Sequence, residues 1–386
     1  MPAERQKERS PAVISPETVR PSALGIPEPP SRREAQVELG DIRRRIDAVD
    51  ARLVRLLTER MELALRAGKT KARVQDPGRE EAVLNNILRS RPGPLSEEFL
   101  LDLFQRIISE CRTAEEAHPS LVGFQGEHGA YSEEAARTAC PESVPIPFRG
   151  FRDIFDGVGG GRLDLGIVPV ENSTEGAVAE VNDLLLEYDL FIIREIRFPI
   201  RHKLLVPPGI DPGGLKTVMS HPQALAQCRR FLRDNGLDAQ PVYDTAGAAR
   251  RLSDNPGAGT AVIASHLCAD LYGLEIAAEN IEDEPSNRTR FLVLSRAQHT
   301  GAAAKGSLAF STRHEAGALC AVLDVFRERR INLLRIESRP VKTDPGTYVF
   351  FVDFAGSPRD AGVAEALAAA RERATFWKFF GGYEEV

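Results

Sequence analysis

The sequence predicts a multidomain protein with an all-α unit, an α/β unit of two lobes and a small α+β unit. Three observations indicate this organisation. The chain has 386 residues, which is too many for one ordinary domain. Its first third carries apolar residues at helical spacing, whereas beyond Pro119 short apolar runs alternate with helical stretches. The last part has the order strand, helix, strand, strand, helix, strand, which is typical of a ferredoxin-like module.

The composition argues against several classes of protein. Charged residues make up 27% of the chain and the formal net charge is -6, so we expect no nucleic-acid partner and no anionic membrane partner. No apolar run is long enough to cross a bilayer, and the first residues lack the apolar core of a signal peptide. We therefore expect a cytoplasmic protein.

Metal and nucleotide cofactors are not expected either. The five cysteines are widely spaced and never form a C-x-x-C pair, which argues against a disulfide framework and a zinc site. The seven histidines show no metal-binding spacing. The dinucleotide-binding and P-loop glycine motifs are missing from the sequence.

The all-α unit follows a proline-rich beginning. Residues 1–34 contain few large apolar side chains, which predicts a disordered segment. Residues 35–118 form the all-α unit, which begins with a long amphipathic helix. Asp76 followed by Pro77 predicts the start of a second helix, and Ser96 predicts the start of a third.

Cations interrupt the apolar seam of the first helix. Arg60 stands where the repeat predicts an apolar residue, and Lys71 follows about three turns later on the same face. Arg43 lies roughly a quarter-turn from that face. A helix with cations on two faces could contribute to two pockets if it paired with a partner chain. Alternatively, Arg60 extends to solvent or pairs with a glutamate of the next helix.

This unit resembles the all-helical chorismate mutase family. The matching motifs are I-R-R-R-I-D-A-V-D (42–50), T-E-R (58–60), G-K-T-K (68–71) and D-P-G-R-E (76–80). The resemblance implies an intertwined helical dimer in which Arg43 reaches the site of the partner. It also implies a set of substrate-binding residues: Arg43, Arg60, Lys71, Asp76, Arg79, Glu80 and Cys111.

The chemistry of chorismate explains these residue types. Chorismate carries two carboxylates and an ether oxygen that gains negative charge as its bond breaks. Bidentate arginines suit the carboxylates, and fixed donors suit the developing charge. The resemblance implies Lys71 and Glu115 as the catalytic side chains. Glu115 can donate to the ether oxygen only when it is protonated. Alternatively, Glu115 is a solvated helix residue.

Residues 119–297 contain five polar loops among the predicted strands and helices. The loops are G-E-H-G-A-Y-S (126–132), P-V-E-N-S-T-E-G (169–176), S-H-P-Q-A-L (220–225), D-T-A-G-A-A (244–249) and N-R-T-R-F (287–291). The predicted strands are 121–124, 163–170, 191–197, 203–206, 216–219, 261–264 and 291–294. Strands that alternate with helices indicate parallel α/β layers. Loops at the carboxyl ends of such strands bind ligands, so we expect them to converge on one cleft.

Together these loops resemble the prephenate dehydratase family, which has two α/β lobes similar to a periplasmic binding protein. The resemblance implies that Thr289 is essential for catalysis, and Glu171 is a second candidate proton donor if it is buried. The first loop departs from the commoner G-P-E-G-T-F-S at His128, Ala130 and Tyr131. The implied substrate-binding residues are Asn172, Ser173, Thr174, Ser220, His221, Gln223, Arg290 and Phe291.

The reaction of this family is a decarboxylation with loss of the ring hydroxyl. The enzyme must bind two carboxylates and protonate or hydrogen-bond the departing hydroxyl. Thr289 can supply a hydrogen bond, but an alcohol is a weak acid. Arg290 could bind a carboxylate, or it could pair with Asp283 or Glu284. Arogenate is an alternative substrate, and a non-catalytic small-molecule sensor is an alternative function.

The C-terminal unit, residues 305–386, follows an Ala- and Gly-rich linker over 298–306. Its G-A-L-C-A-V-L (317–323) and E-S-R-P (337–340) motifs resemble the ACT domain, in which phenylalanine binds near a dimer interface. The implied effector-binding residues are Gly317, Ala318, Leu319, Glu337, Ser338, Arg339 and Pro340. Glu337 and Arg339 could alternatively pair with each other. The resemblances predict a homodimer or homotetramer that needs no cofactor and is inhibited by phenylalanine.

Overall fold

The computed structural model describes residues 32–71, 76–90, 93–257, 259–341 and 346–386, without the side chains of residues 32–38, 41 and 44. The segment predicted to be disordered therefore lies outside the described residues as far as residue 31. Its last residues are helical, because the first helix already begins at Arg32. The chain divides into two compact units, Met1–Asp50 and Ala51–Val386.

The all-α part consists of α1 (Arg32–Gly68), α2 (Pro77–Arg89) and α3 (Glu97–Glu116). Both predicted N-caps are present. Asp76 Oδ1 accepts a hydrogen bond from the Arg79 amide at 3.0 Å, and Ser96 Oγ accepts one from the Phe99 amide at 3.2 Å. Proline at the first position of α2 and acidic residues in the first turn of α3 also favour these starts.

The α/β part has two lobes. The first contains β1 (Ser120–Gln125), α4 (Tyr131–Ala139), β2 (Ser143–Phe148), α5 (Phe151–Gly159), β3 (Leu165–Asn172), β4 (Gly176–Ala177), α6 (Ala179–Glu187) and β5 (Phe191–Pro199). The second contains β6 (Lys203–Val206), β7 (Thr217–Ser220), α7 (Pro222–Gln227), α8 (Arg229–Asp234), β8 (Asp238–Pro241), α9 (Thr245–Asp254), β9 (Thr260–Ala264), α10 (His266–Tyr272) and β10 (Glu275–Glu279). The chain then returns to the first lobe as β11 (Arg288–Ser295).

The two lobes have separate sheets, which confirms the predicted two-lobed α/β fold. The second lobe has the strand order β10-β6-β9-β7-β8. The prediction of parallel layers is wrong in part, because β11 runs antiparallel to β3 and β5, and β6 runs antiparallel to β9 and β10. The chain crosses between lobes around residues 200–202 and 280–287. The returning strand β11 therefore enters the first sheet at the end where β5 leaves it, and runs antiparallel to β5.

The C-terminal module has the predicted βαββαβ order. It consists of β12 (Lys305–Ser311), α11 (Ala318–Glu328), β13 (Leu333–Pro340), β14 (Tyr348–Ala355), α12 (Ala361–Arg373) and β15 (Phe376–Glu385). The last strand is longer than predicted and pairs in parallel with β5, so one ten-stranded sheet runs from the module into the first lobe. Lys305 and Gly306, predicted as linker, are buried in β12.

Candidate active sites

The helical unit brings four of the predicted mutase residues together. Lys71 Nζ lies 3.1 Å from Glu115 Oε2, and Arg60 Nη1 donates to Cys111 Sγ at 2.8 Å. Burial raises the pKa of the Cys111 thiol, although the neighbouring Arg60 opposes the shift. The side chain of Glu115 is only 6% exposed, so its alternative interpretation as a solvated residue is wrong. Gly68 leaves room for it, since a Cβ there would lie 3.3 Å from Glu115 Cγ.

The remaining mutase residues lie at the surface. Asp76 and Arg79 are exposed at the start of α2, where Asp76 serves as the N-cap. Glu80 Oε1 lies 3.8 Å from Arg112 Nη1. Arg43 is exposed on the part of α1 that belongs to the first unit.

The apolar seam of α1 is uncovered in this single chain. In the second unit Leu53 and Leu63 are 52% and 54% exposed, and in the first unit Ile46 is 52% exposed. Apolar side chains repeating along a helix are normally buried against another element. The other side of α1 is covered, because Leu65 is buried and Lys69 Nζ lies 2.7 Å from Asp164 Oδ2 of the α/β part.

His128 also connects α1 to the α/β part. Its Nε2 lies 3.0 Å from Glu62 Oε1 of α1, and its Nδ1 lies 3.2 Å from Glu133 Oε2 of α4. Burial opposes the charged imidazolium, but hydrogen bonds to Glu133 and Glu62 raise the pKa of His128 to about 10. The imidazolium therefore bridges two carboxylates, one on each side of the contact.

A cleft of about 410 Å3 lies between the two lobes. It is lined by five residues predicted for the dehydratase site, namely Asn172, His221, Gln223, Thr289 and Phe291. None of the described residues that line it is a lysine or an arginine. The N-cap residues of α4 and α6, Ala130 and Val178, line the cleft and cap their helices with no side-chain hydrogen bond. The amides of these helix starts therefore present partial positive charge to an anion in the cleft.

Thr289 and Asn172 form the centre of this site. Asn172 Nδ2 donates to Thr289 Oγ1 and to Asn287 Oδ1, at 2.9 Å each. Asn172 Oδ1 accepts from the Thr174 hydroxyl at 2.6 Å. Because Thr289 Oγ1 accepts from Asn172, its own hydrogen can point into the cleft.

Four other predicted dehydratase residues lie outside the cleft lining. Ser220 is fully buried and donates to the Ile263 carbonyl at 2.6 Å. Ser173 accepts from the Arg288 amide at 3.0 Å. Thr174 contacts two lining residues, because its hydroxyl donates to Asn172 Oδ1 and accepts from Gln227 Nε2 at 3.2 Å. Glu171 lies on the other side of the sheet, 3.4 Å from Arg335 Nε. The prediction of Glu171 as a second candidate proton donor is therefore wrong, because its side chain does not reach the cleft.

Arg290 also departs from its prediction. It follows Thr289 on β11, and successive side chains of a strand point to opposite faces. Its guanidinium is buried in the junction with the C-terminal module, 2.6 Å from Glu195 and 2.7 Å from Asp353 of β14. The predicted pairs with Asp283 and Glu284 are not formed. Burial opposes ionisation of Glu195, but Arg290 and Lys305 hold its pKa below the usual range.

The effector residues of β13 divide between two faces. Glu337 Oε1 accepts from Asn182 Nδ2 of α6 at 3.1 Å, and Arg339 Nη2 lies 3.1 Å from Asp183 Oδ1 of the same helix. Glu337 pairs with Arg335 rather than with Arg339. Ser338 and Pro340 are on the exposed face, as the alternation of a strand requires.

The start of α11 is open in this chain. Gly317 is its N-cap, with φ of 85°, and a Cβ there would meet nothing within 4 Å. The left-handed conformation favours glycine, and the open space leaves the helix start accessible. Ala318 and Leu319 follow it and are half-buried.

Several polar residues that line the cleft were not among the predicted site residues, and Tyr131, His202 and Gln227 are three of them. Tyr131 belongs to the first polar loop, but nothing in that motif indicated a role for its hydroxyl. His202 and Gln227 lie outside all five polar loops of the sequence, and only the fold brings them to the cleft. Among the described residues, no three His, Cys, Asp or Glu side chains are grouped closely enough to hold a metal ion. Within that part of the chain, no helix combines the length and apolar character of a membrane span.

Family models match the chain in succession. Chorismate mutase type II matches residues 42–116, Prephenate dehydratase matches 122–299 and ACT domain matches 307–372. The three matches follow the order of the helical unit, the two-lobed part and the C-terminal module.

Similar proteins extend over most of the chain. The bifunctional chorismate mutase/prephenate dehydratase of Neisseria gonorrhoeae is 38% identical over 356 residues, which is 88% of this chain and 95% of that protein. Arogenate dehydratase/prephenate dehydratase 2 of Arabidopsis thaliana is 39% identical over 68% of this chain and 72% of its own length. The crystal structure of prephenate dehydratase from Arthrobacter aurescens in complex with L-Phe has a TM-score of 0.63 and 33% identity, and covers 68% of this chain and 89% of that one.

Proposed function

We propose that this chain, which belongs to the family of bifunctional chorismate mutase/prephenate dehydratases, converts chorismate to prephenate in its helical unit and prephenate to phenylpyruvate in its two-lobed part. Phenylalanine is the feedback effector of its C-terminal module. The observation that carries the proposal is the meeting of Thr289 and Asn172 from one lobe with His221 and Gln223 from the other in a single cleft.

The mutase site works by clamping and charge stabilisation. The rearrangement breaks one bond while another forms, so it needs no nucleophile. Arg60 and Arg79 hold the carboxylates of chorismate, and Arg43 is supplied by a partner chain. Lys71 and Glu115 face the ether oxygen, where negative charge develops. The contact between Lys71 and Glu115, 3.1 Å long, supports the placement of both at one reacting atom.

The dehydratase site binds an anion without cations of its own. Helix starts at Ala130 and Val178 bind the carboxylates, and His221 and Gln223 orient the substrate. Thr289 donates to the hydroxyl that leaves, because Asn172 occupies its acceptor side. The leaving carboxylate becomes CO2 as its bonding electrons enter the ring, and aromatisation drives the reaction.

Prephenate fits the cleft better than arogenate. Arogenate differs by an ammonium group, which needs an anionic partner. Asp244 is the one carboxylate among the described lining residues, and its Oδ1 already accepts from the amides of Ala246 and Gly247 at 2.6 and 3.1 Å. The similarity to plant arogenate dehydratases keeps arogenate as the second candidate substrate.

A homodimer is the smallest assembly that would complete the mutase site. The exposed seam of α1 fits a second copy of the same helix, and Arg43 then reaches the partner's mutase site. Phenylalanine binds at Gly317 to Leu319 together with Glu337 to Pro340. The cytoplasmic location and the homotetramer remain predictions from the sequence.

Three incubations of the purified chain test the proposal. Chorismate should yield prephenate and then phenylpyruvate, prephenate should yield phenylpyruvate, and arogenate should react slowly. Phenylalanine should inhibit the second reaction. Phenylalanine formed rapidly from arogenate would overturn the substrate choice, and binding without turnover would favour a sensor.

A further inference from the structure

The dehydratase reaction consumes a proton. Prephenate is a dicarboxylate, whereas its products are a monocarboxylate, CO2 and water. The hydroxyl that leaves takes the electrons of its C–O bond with it, so it becomes water only if a proton arrives. Thr289 can donate a hydrogen bond, but its alcohol is too weak an acid to be the source alone. Glu171 lies outside the cleft.

The cleft offers five titratable side chains among its described lining residues: Tyr131, His202, His221, Tyr243 and Asp244. Tyr243 is 74% exposed and Asp244 caps α9 as an acceptor. His221 Nδ1 accepts from the Gln223 amide at 3.3 Å, so it remains a rival donor through Nε2. Tyr131 and His202 differ from these three because a hydrogen bond of 2.8 Å joins the Tyr131 hydroxyl to His202 Nδ1.

The hydrogen bonds around His202 determine where its protons lie. Gln227 Oε1 accepts from Asn287 Nδ2 at 3.1 Å, so the same oxygen faces His202 Nε2, 2.9 Å away. His202 Nε2 therefore carries a hydrogen and donates it to Gln227. In the neutral ring Nδ1 has no hydrogen, and the Tyr131 hydroxyl must donate to it.

A second complete arrangement exists when His202 is protonated. Nδ1 then donates to the Tyr131 oxygen, and the phenolic hydrogen turns to the Arg201 carbonyl, which lies 3.0 Å away. The pair can therefore hold one more proton without losing any hydrogen bond. Burial lowers the pKa of His202, so the free site is neutral at neutral pH. A dianionic substrate favours uptake of the proton.

Other charges near the pair are balanced. The His202 amide donates to Glu282 Oε2 at 3.0 Å, and Glu282 Oε1 lies 2.8 Å from Arg201. Lys203 pairs with Glu279 at 3.2 Å. The surrounding ionisable groups are Glu134 on α4, Cys228 between α7 and α8, and Cys268 on α10. Burial raises the pKa of Tyr131, so the phenol can give up its proton only if another proton replaces it.

We propose that in this chain, whose first loop has tyrosine where the commoner G-P-E-G-T-F-S has phenylalanine, Tyr131 is the proton donor to the departing hydroxyl and His202 resupplies it. This inference rests on the proposed dehydratase function. Substrate binding draws one proton from solvent onto His202 Nδ1. As the C–O bond breaks, the phenolic proton moves to the hydroxyl oxygen and the Nδ1 proton moves to the phenolic oxygen. Water leaves, and both side chains return to their neutral forms.

Two substitutions test the proton path in the full chain. Tyr131→Phe removes only the hydroxyl, and His202→Gln keeps a neutral donor but cannot titrate. Each should lower the dehydratase kcat about a hundredfold with little change in KM. In the wild type kcat should fall as pH rises through deprotonation of bound His202, and His202→Gln should lack this limb. Mutase turnover of the same samples reports that the chain is folded.

His221→Gln is the matched control. It should raise KM for prephenate but keep the pH limb of kcat. If the limb is lost in His221→Gln and kept in His202→Gln, His221 is the source and the inference is overturned. A Tyr131→Phe variant with wild-type kcat would also overturn it. A wild-type chain that does not convert prephenate would instead overturn the proposed function.

Discussion

The two candidate sites of this chain differ in the charge that they offer. The helical site contains long cationic side chains, with Arg60 against Cys111 and Lys71 against Glu115. The cleft has no lysine or arginine among its described lining residues and offers helix starts and neutral polar groups instead. Cationic side chains suit a transition state that gains charge at one oxygen, whereas a site that expels CO2 must not hold a carboxylate too strongly.

The difference also concerns what completes each site. The cleft is formed by two lobes of one chain, whereas α1, which carries Arg60, also carries exposed apolar side chains such as Leu53 and Leu63. The comparison therefore predicts that the first activity depends on assembly and on single charges, and that the second depends on hydrogen-bond geometry.

Arg60→Ala should separate the two activities most strongly. Loss of a carboxylate clamp should lower mutase kcat/KM by about 10²- to 10³-fold, because the cation is needed at a fixed position. Dehydratase turnover should stay near normal, since Arg60 does not line the cleft. Arg52→Ala, on an exposed part of α1, is the matched control. Unchanged mutase turnover in Arg60→Ala would contradict the placement of this site.

Glu115→Gln should preserve mutase turnover, whereas Glu115→Ala should lower its kcat about a hundredfold. A glutamine keeps the shape of the side chain and a hydrogen-bond donor, but an alanine removes the group that faces the ether oxygen. The loss of one donor at a developing charge typically costs about 10²–10³ in kcat, so the rate of chorismate conversion distinguishes the two variants.

The control for these variants is Glu116→Gln, which changes an exposed neighbour on α3. The dehydratase turnover of all three variants should match the wild type. Wild-type mutase turnover in Glu115→Ala would mean that another group, Lys71, is the donor at the ether oxygen.

Asn182→Ala should weaken inhibition by phenylalanine. Asn182 of α6 donates to Glu337 of the effector motif, and the same helix begins at Val178 in the cleft. Effector and substrate thus share one helix, and typical coupling between two sites is about 1–3 kcal/mol. We expect phenylalanine to bind as before in calorimetry, with its inhibition reduced about fivefold.

Asp189→Ala is the control, because Asp189 is exposed and contacts Lys378 beyond the end of α6. Loss of phenylalanine binding in Asn182→Ala would place Asn182 in the effector site itself. A chain shortened after residue 296 is a poorer test, since it would leave Arg290 and Glu195 without Asp353 and Lys305.

Sequence reasoning succeeded where the signal is local. The bounds of β6 agree with the predicted strand 203–206, and Asp76 caps α2 as predicted, because caps and periodicity act within a few residues. The strands β8 and β10 were missed, since they carry no buried apolar run.

Contacts between distant parts of the chain could not be predicted in the same way. Arg290 finds Glu195 and Asp353 only because β15 joins two sheets, and the register of β11 against β3 shifts next to Arg290. His202 and Gln227 meet where the chain crosses between lobes. Sequence spacing contains no signal for such pairings without a second sequence to compare.

His128→Asn should produce the smallest effect, on the contact that joins the two regions. The pKa of His128 is raised from 6.5 to about 10 by Glu133 and Glu62, against the effect of burial. A raised pKa in the folded state stabilises the fold fully below pH 6.5, and this contribution is lost as pH rises through about 10. The variant should lose about 1 kcal/mol near pH 6, which lowers Tm by about 2–4 °C, and should approach the wild type above pH 10. His266→Asn changes an exposed histidine 3.9 Å from Asp270 and is the matched control. If the Tm difference between His128→Asn and the wild type is the same at pH 6 and above pH 10, His128 contributes by packing and its charge does not join the helical unit to the cleft loop.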